Sequence, residues 1–280
     1  ADALSEKLIE AKKVGKLPKI VVPVHFAGQP CDMPAIHDLS KHYGFKIIED
    51  ASHAIGATYN QIKVGSCIHS DITVFSFHPI KIITTAEGGM ALTNDKNIAA
   101  KLSRLRTHGI ISDKTKMEER PKDEIWNYQQ IDLGFNYRMN DIQAALGLNQ
   151  LKRLDEYVKH RQEIAKFYNN ALKNLPLVTP WCSPSNYSSY HLYTILIKEN
   201  LTQKTQRQVY DELIKNDIGV NLHYIPVHRQ PYYENLGFKK NDFPQAEKFH
   251  REVLSIPIHP SLKEIQQLQV VETFKKILVK

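Results

Sequence analysis

The sequence has little cysteine. Cys31, Cys67 and Cys182 are the three in 280 residues. The number is odd, and no two stand in a Cys-x-x-Cys spacing, which argues against a disulfide framework or a zinc ribbon. A reducing cytoplasm is therefore the expected compartment. No stretch approaches the roughly 18 consecutive apolar residues of a membrane-spanning helix. No signal peptide is visible either, and a chain that opens on Ala1 is consistent with a processed or missing start.

Familiar catalytic signatures are absent too. No Gly-x-Gly-x-x-Gly follows a strand, so a Rossmann dinucleotide site is not expected, and no P-loop glycine-lysine pattern occurs. There is no His-Glu-x-x-His helix, no calcium-binding EF-hand loop and no Gly-x-Ser-x-Gly elbow. The thirteen histidines are scattered along the chain, which predicts no metal centre. The formal charge is +7, from 37 basic and 30 acidic side chains. The lysines are spread, however, and no basic run interleaves with aromatics, so nucleic acid is not the expected partner. An anionic small-molecule substrate or a basic surface fits the excess as well.

What is present begins as an α/β pattern. Residues 19–26 (KIVVPVHF) form a β-branched apolar run. A helix follows, with Asp32 as N-cap, Pro34 in its first turn and Gly44 as terminator. Residues 45–50 (FKIIED) are the next strand, completing a βαβ unit whose strands should be parallel. Residues 71–78 and 88–95 are two further strands, and 111–130 reads as a polar excursion. A long helix capped by Asn140 is expected to run to about Leu172, with Ile142, Leu146, Leu151, Leu154 and Val158 along one face. Beyond it, strands at 191–197 and 219–225, helices in QRQVYDELIKN and QAEKFHREVL, and a last helix at 261–279 suggest a smaller α+β unit. The expected division is 1–150, a large domain with a mostly parallel sheet, and 151–280, a bridging helix with a small domain.

Residues 73–95, TVFSFHPIKIITTAEGGMALTND, place one lysine where it is awkward. Lys81 follows an apolar strand and precedes Ile82 and Ile83. In parallel sheets, ligands gather beyond the carboxyl ends of the strands. There FKIIED delivers Asp50 and then His53, while DITVFSFH delivers Ser76, His78 and Lys81. Pyridoxal phosphate matches those residue types. Its aldehyde needs a partly desolvated lysine amine, its ring nitrogen a carboxylate, and its phosphate hydroxyls and backbone N–H groups. Plainer readings stay open at this point: Lys81 as a loop lysine facing water, Asp50 as a helix cap, His53 as a packed histidine, and Ser76 as a hydroxyl bonded to backbone.

Several blocks, in order, carry a resemblance: VPVHFAGQPCDMPAI, IIEDASHAIGATY, SFHPIKIITTAEGGMALTND, LGFNYRMNDIQAALGLNQL, HYIPVH and IPIHP. Together they cover nearly the whole chain. The sequence resembles the DegT/DnrJ/EryC1/StrS nucleotide-sugar aminotransferases, fold-type I enzymes dependent on pyridoxal 5'-phosphate. ITTAEGG is most similar to the branch that works in pseudaminic acid biosynthesis. The resemblance implies that Lys81 carries the cofactor and later moves a proton between the cofactor and C4 of the sugar. Asp50 would pair with the ring nitrogen, His53 would lie near the phenolic oxygen, and Ser76 would bind the phosphate. Asn136 would reach the cofactor phosphate of a partner subunit, with Arg138 supporting that interface in a homodimer with shared sites. Asn221, Leu222, His223 and Tyr224 would line the sugar-nucleotide site. The substrates implied are a UDP-linked 4-keto-6-deoxy sugar and L-glutamate. A sugar 3-dehydratase relative would carry histidine in place of Lys81, and a non-catalytic relative or inactive fragment is a further alternative. Members of the family extend further at the N-terminus, so the chain is expected to begin midway through the large domain and to lack the N-terminal part of the fold.

Overall fold

The computed structural model describes residues 1–121, 123–125 and 127–278. The chain opens with α1 (Asp2–Lys13). The strand expected over 19–26 is only Ile20–Val21, β1, followed by a lone parallel bridge from Val24 to Asp50. Pro23 explains the interruption, because it has no N–H to give a ladder. Helix α2 (Met33–Tyr43) forms as expected: Asp32 Oδ1 accepts the Ala35 N–H at 3.4 Å, and Gly44 ends the helix in the left-handed region at φ 79°. Its apolar face, Met33 and Ile36, packs with Leu8 of α1 and with Phe45 and Ile47.

Strand β2 (Lys46–Asp50) lies parallel to β1. A small hairpin follows, β3 (Thr58–Tyr59) and β4 (Ile62–Lys63). Strand β5 (Ile72–Ser76) lies parallel to β2, and β6 (Gly89–Leu92) runs antiparallel to β5. The sheet order is β1-β2-β5-β6, parallel except for its last strand. Ile20, Val22 and Val24 along its β1 edge are about half exposed. Helix α3 (Lys96–Leu105) leads to the 111–130 excursion. Among its described residues this holds a short turn of 3-10 helix at 114–116. Its ends are tied by the pairing of β7 (Ile110–Ile111) with β8 (Gln129–Gln130). Positions 122 and 126 of that excursion lie outside the described residues.

The long helix expected from Asn140 is two helices, α4 (Asp141–Leu151) and α5 (Leu154–Leu172), separated at Lys152–Arg153. Asn140 and Gln143 form a reciprocal capping box. Of the expected face only Val158 is buried and Leu154 partly so, both on α5, which also buries Ile164 and Leu172. Ile142 on α4 is 84% exposed, and Leu146 and Leu151 are also exposed. The run of apolar residues thus belongs to two helices with different surroundings.

The second half packs around a three-stranded antiparallel sheet. Strand β9 is Leu177–Val178, β10 (Asn186–Tyr187) pairs with β3, β11 is Tyr193–Ile197 and β12 is Val253–Ile256. After the one-turn α6 (Glu199–Thr202), helix α7 (Gln206–Lys215) starts at a Thr205–Gln208 capping box. Short α8 (Pro231–Asn235), α9 (Pro244–Glu252) and α10 (Glu264–Leu278) complete the order. Tyr168, Tyr193, Ile195, Leu213 and Phe274 are sealed in this core. Two expectations are corrected. Residues 219–225 are not a strand: Asn221 makes a single bridge to Ser255, the chain then leaves the edge, and Pro226 has no N–H to extend the ladder. The helix expected through Leu254 stops at Glu252, because the β-branched and apolar run from Val253 is drawn into the sheet. Position 279, the expected last residue of α10, lies outside the described residues.

Candidate active site

Neighbouring residues of a strand face opposite ways. At the end of β2 this separates two acids. Glu49 turns inward: it is 5% exposed, accepts from Thr73 Oγ1 at 2.8 Å, and is bonded to Ser70 Oγ. His25 Nδ1 accepts the Cys31 N–H at 3.0 Å, so its proton sits on Nε2, which donates to Glu49 Oε2 at 2.7 Å. This buried network pins the strand end. Asp50 is thereby presented on the other face. Its Oδ1 accepts the Ser52 N–H at 3.0 Å, and Oδ2 has no protein partner among the described residues. Asp50 lies opposite Val74 in the parallel register, so Ser76, two residues further along β5, shares the face of Asp50. The two sequence-predicted residues meet on one rim.

The segment between β5 and β6 is held at both ends. Phe77 N–H donates to Gly88 O at 2.8 Å, and Thr85 N–H donates to Phe77 O at 3.0 Å. Lys81 closes a turn through its N–H to His78 O at 2.9 Å, while the following Ile82 and Ile83 are buried. The Lys81 side chain is half-buried rather than turned out to water. Burial pushes its ammonium below the ordinary lysine value, and the Asp50 carboxylate works in the opposite direction.

Two imidazoles expected at the site share this setting. His53 Nδ1 accepts the Ala27 N–H at 3.3 Å. Burial, with the positive charge of Lys81 and the nearby His223 adding to it, lowers its pKa to about 4, against the pull of Asp50. His223 is hydrogen-bonded through Nδ1 to Ser255 Oγ at 2.7 Å, and burial and then Lys81 lower its pKa as well. Lys81, Asp50, His53, Ser76 and His223 therefore form one constellation.

Other expected residues stand apart or play a mixed part. Asn136 is exposed, held by a backbone bridge to Thr107, and its side chain makes no hydrogen bond among the described residues. Arg138 is exposed as well. Asn221 turns its Oδ1 back to accept the Leu222 N–H at 2.8 Å, and Leu222 packs partly against the core of the second half. Tyr224 is 66% exposed.

The sequence reading missed His191. It is buried, and its ring centroid lies 4.4 Å from that of His53. It also missed Arg161, which is 4% exposed and donates through Nη1 to the carbonyls of Ile258 (2.8 Å), Tyr190 (3.0 Å) and His191 (3.2 Å). A histidine directly before the apolar run LYTILI was the one visible signal for His191. Nothing local marks Arg161. Among the described residues, no group of three or more histidine, cysteine or acidic side chains is placed to hold a metal ion.

A mostly parallel α/β sheet with a half-buried lysine, a carboxylate and a hydroxyl on one rim defines a pyridoxal-phosphate-type site. The comparisons with known proteins agree. Residues 3–275 match the model of the DegT/DnrJ/EryC1/StrS aminotransferase family, and the chain belongs to that family. It is 39% identical over 263 residues to the spore coat polysaccharide biosynthesis protein SpsC of Bacillus subtilis, covering 93% of this chain and 67% of SpsC. It is 37% identical over 281 residues to the UDP-4-amino-4,6-dideoxy-N-acetyl-beta-L-altrosamine transaminase of Campylobacter jejuni, covering 99% of this chain and 71% of that protein. Among solved structures, Helicobacter pylori PseC, an aminotransferase involved in the biosynthesis of pseudoaminic acid, superposes with a TM-score of 0.85 at 30% identity. That match covers 97% of this chain and 70% of PseC. The chain thus spans about two thirds of the length of such relatives. The fold is that of fold-type I enzymes, and the family is one of sugar aminotransferases dependent on pyridoxal phosphate.

Proposed function

We propose that this protein transfers the amino group of L-glutamate to C4 of a UDP-linked 4-keto-6-deoxy sugar, as in pseudaminic acid biosynthesis. Glutamate leaves as 2-oxoglutarate, and the ketone becomes an amine. The observation that carries the reading is Lys81 Nζ, half-buried, with its pKa lowered and the Asp50 carboxylate beside it. The residues present fit pyridoxal phosphate in charge and in hydrogen-bonding capacity. When bound, that group supplies an aldehyde carbon to carry nitrogen and a ring that accepts electron density.

The side chains then divide the work. Lys81, whose partial burial favours a neutral amine, holds the cofactor and moves a proton at Nζ to and from the reacting carbon. Asp50 has its Oδ2 available to keep the ring nitrogen protonated. Ser76, on the same face, offers its hydroxyl to the phosphate. His53, with Nδ1 engaged by the Ala27 amide, has its proton on Nε2 and donates from there to the phenolic oxygen. Asn221, Leu222, His223 and Tyr224 line the sugar-nucleotide side.

Asn136, exposed on its loop, reaches a neighbouring subunit's site, with Arg138 beside it in a cytoplasmic homodimer. The exposed Leu133, Tyr137 and Ile142 support a covered surface there. We assign residues 1–150 to the cofactor-binding domain and 151–280 to the bridging helices and small domain.

The test is visible absorbance after incubation with pyridoxal phosphate and dialysis, beside Lys81→Ala. A band near ~420 nm that is present in the wild type, absent in the variant and bleached by glutamate supports the assignment. A band that survives in Lys81→Ala, or a wild type that takes up no cofactor, overturns it. An amine product from a 4-keto sugar nucleotide, rather than a deoxygenated one, separates the transaminase from a 3-dehydratase.

A further inference from the structure

His191 lies outside the set that the family resemblance assigned, yet the fold spends several unusual features on placing it. The segment 188–191 crosses the 25–29 loop of the first half. Ser189 N–H donates to Gly28 O at 3.0 Å, Ser189 Oγ donates to His53 O at 2.9 Å, and Leu192 N–H donates to Ala27 O at 3.3 Å. The crossing is tight: a Cβ on Gly28, whose φ is 98°, would fall 2.6 Å from Ser189 Oγ and 2.9 Å from Tyr190 N. Tyr190 itself sits at φ 43°, an uncommon conformation for a residue with a side chain. Arg161 clamps the carbonyls of Tyr190 and His191 from behind. The result is a buried imidazole tilted 40° against His53, with Phe26 on the same histidine at 6.0 Å.

We infer that His191 is a positioning residue for the active site: its ring fills the space beside His53 and so holds His53 with Nδ1 on the Ala27 amide and its proton on Nε2. The role rests on volume and neutrality. His191 Nδ1 is sealed from water without a hydrogen-bond partner among the described residues. Among the described residues, the charged or titratable groups that act on it are His53, Lys81, Arg161 and His223, with no carboxylate in the set. Burial, then His53 and Lys81, lower its pKa to about 2, so the ring carries no charge at neutral pH. His53 faces Lys81, His223 and the opposing Asp50. A neutral ring beside it excludes water without adding a second cation near Lys81. Without that ring, solvent reaches His53 and its charged form becomes easier to make.

The inference builds on the proposed site, but its test does not need the cofactor. Long-range proton–nitrogen NMR of the imidazoles, recorded on the full chain across a pH series, reports both tautomer and titration. In the wild type, His53 is expected as the Nε2–H tautomer, titrating near about 4. In His191→Ala its midpoint should move toward the ordinary 6.5, with the second tautomer appearing. His191→Phe, which keeps a neutral ring, should restore the wild-type behaviour. The idea fails if His191→Ala leaves midpoint and tautomer unchanged, or if His191→Phe shifts them as far as alanine does. It fails without any variant if wild-type His53 carries its proton on Nδ1, which keeps the test decisive should the alanine variant not fold. Cofactor absorbance recorded in parallel separates the two ideas: a wild type that takes up no pyridoxal phosphate removes the proposed function and leaves the ring signals to decide the positioning role.

Discussion

Replacing Arg161 by methionine should weaken the fold more than its single position suggests. Three carbonyls, of Tyr190, His191 and Ile258, lose their shared donor, in a residue that is 4% exposed. A hydrogen bond from a charged donor contributes about 1.5–3 kcal/mol net. The full threefold value is not reached, because one nitrogen with two protons serves three acceptors. A guanidinium that, among the described residues, has no carboxylate partner also carries a desolvation cost of several kcal/mol. Burial is in fact what lowers the Arg161 pKa to about 10. The net loss expected for Arg161→Met is about 2–4 kcal/mol. In urea unfolding followed by circular dichroism, with a slope of about 3 kcal/mol per molar, the midpoint should fall by about 1 M. Arg161→Lys keeps a charge and three donors but not the planar fork, and should lie between. A methionine variant that unfolds at the wild-type midpoint would refute the reasoning, since the clamp would then add nothing beyond its own desolvation.

Three further outcomes are expected. Gly28→Ala should cost at least about 2 kcal/mol, read as a lower melting temperature, because the added methyl meets Ser189 and Tyr190 in a left-handed backbone; an unchanged melting temperature would deny the close crossing. Burial alone would raise the Glu49 carboxyl, but hydrogen bonds from His25, Ser70 and Thr73 outweigh it and hold it below its ordinary 4.5. A depressed folded value gives stability that is present above 4.5 and lost as pH falls through the folded value, so acid should destabilise the wild type more steeply than Glu49→Gln. Parallel acid-unfolding profiles would contradict this. Asn140→Ala removes one half of a capping box and should cost about 1 kcal/mol by urea unfolding, with no loss at all counting against the cap.

What was legible in the sequence was mostly local. Asp32, Gly44 and Asn140 act within three or four residues of themselves, and helix ends depend on little else. Asp50, Ser76 and Lys81 could be placed on one rim because strand ends and register follow from short apolar runs. The misses are nonlocal. Residues 140–172 carry one apolar periodicity, but which turns are buried depends on what packs there, and α4 has little against it. Residues 219–225 have strand composition, yet partnership with Ser255 lasts for one residue pair. His191 and Arg161 matter through contacts 29 to 97 residues away and more than a hundred from His53, which no window of sequence displays. Asn136 lies in the opposite case: its assigned role comes from the family, and the single chain leaves its side chain facing water.

The break in the main sheet beside β1 bears on how Asp50 is held. Strand β1 ends at Val21, and along that side Ile20, Val22 and Val24 are each about half exposed. Pro23 lies in the middle of it with its carbonyl accepting the Asp50 N–H at 2.9 Å, so the amide it lacks is one that would have faced β2. Replacing that proline with valine would return an N–H toward β2 and lengthen the ladder toward Asp50. Pro23 thus leaves the end of β2 held on this side by two hydrogen bonds, Asp50 N–H to Pro23 O and His25 N–H to Asp50 O, at the same end of the sheet as the proposed chemistry.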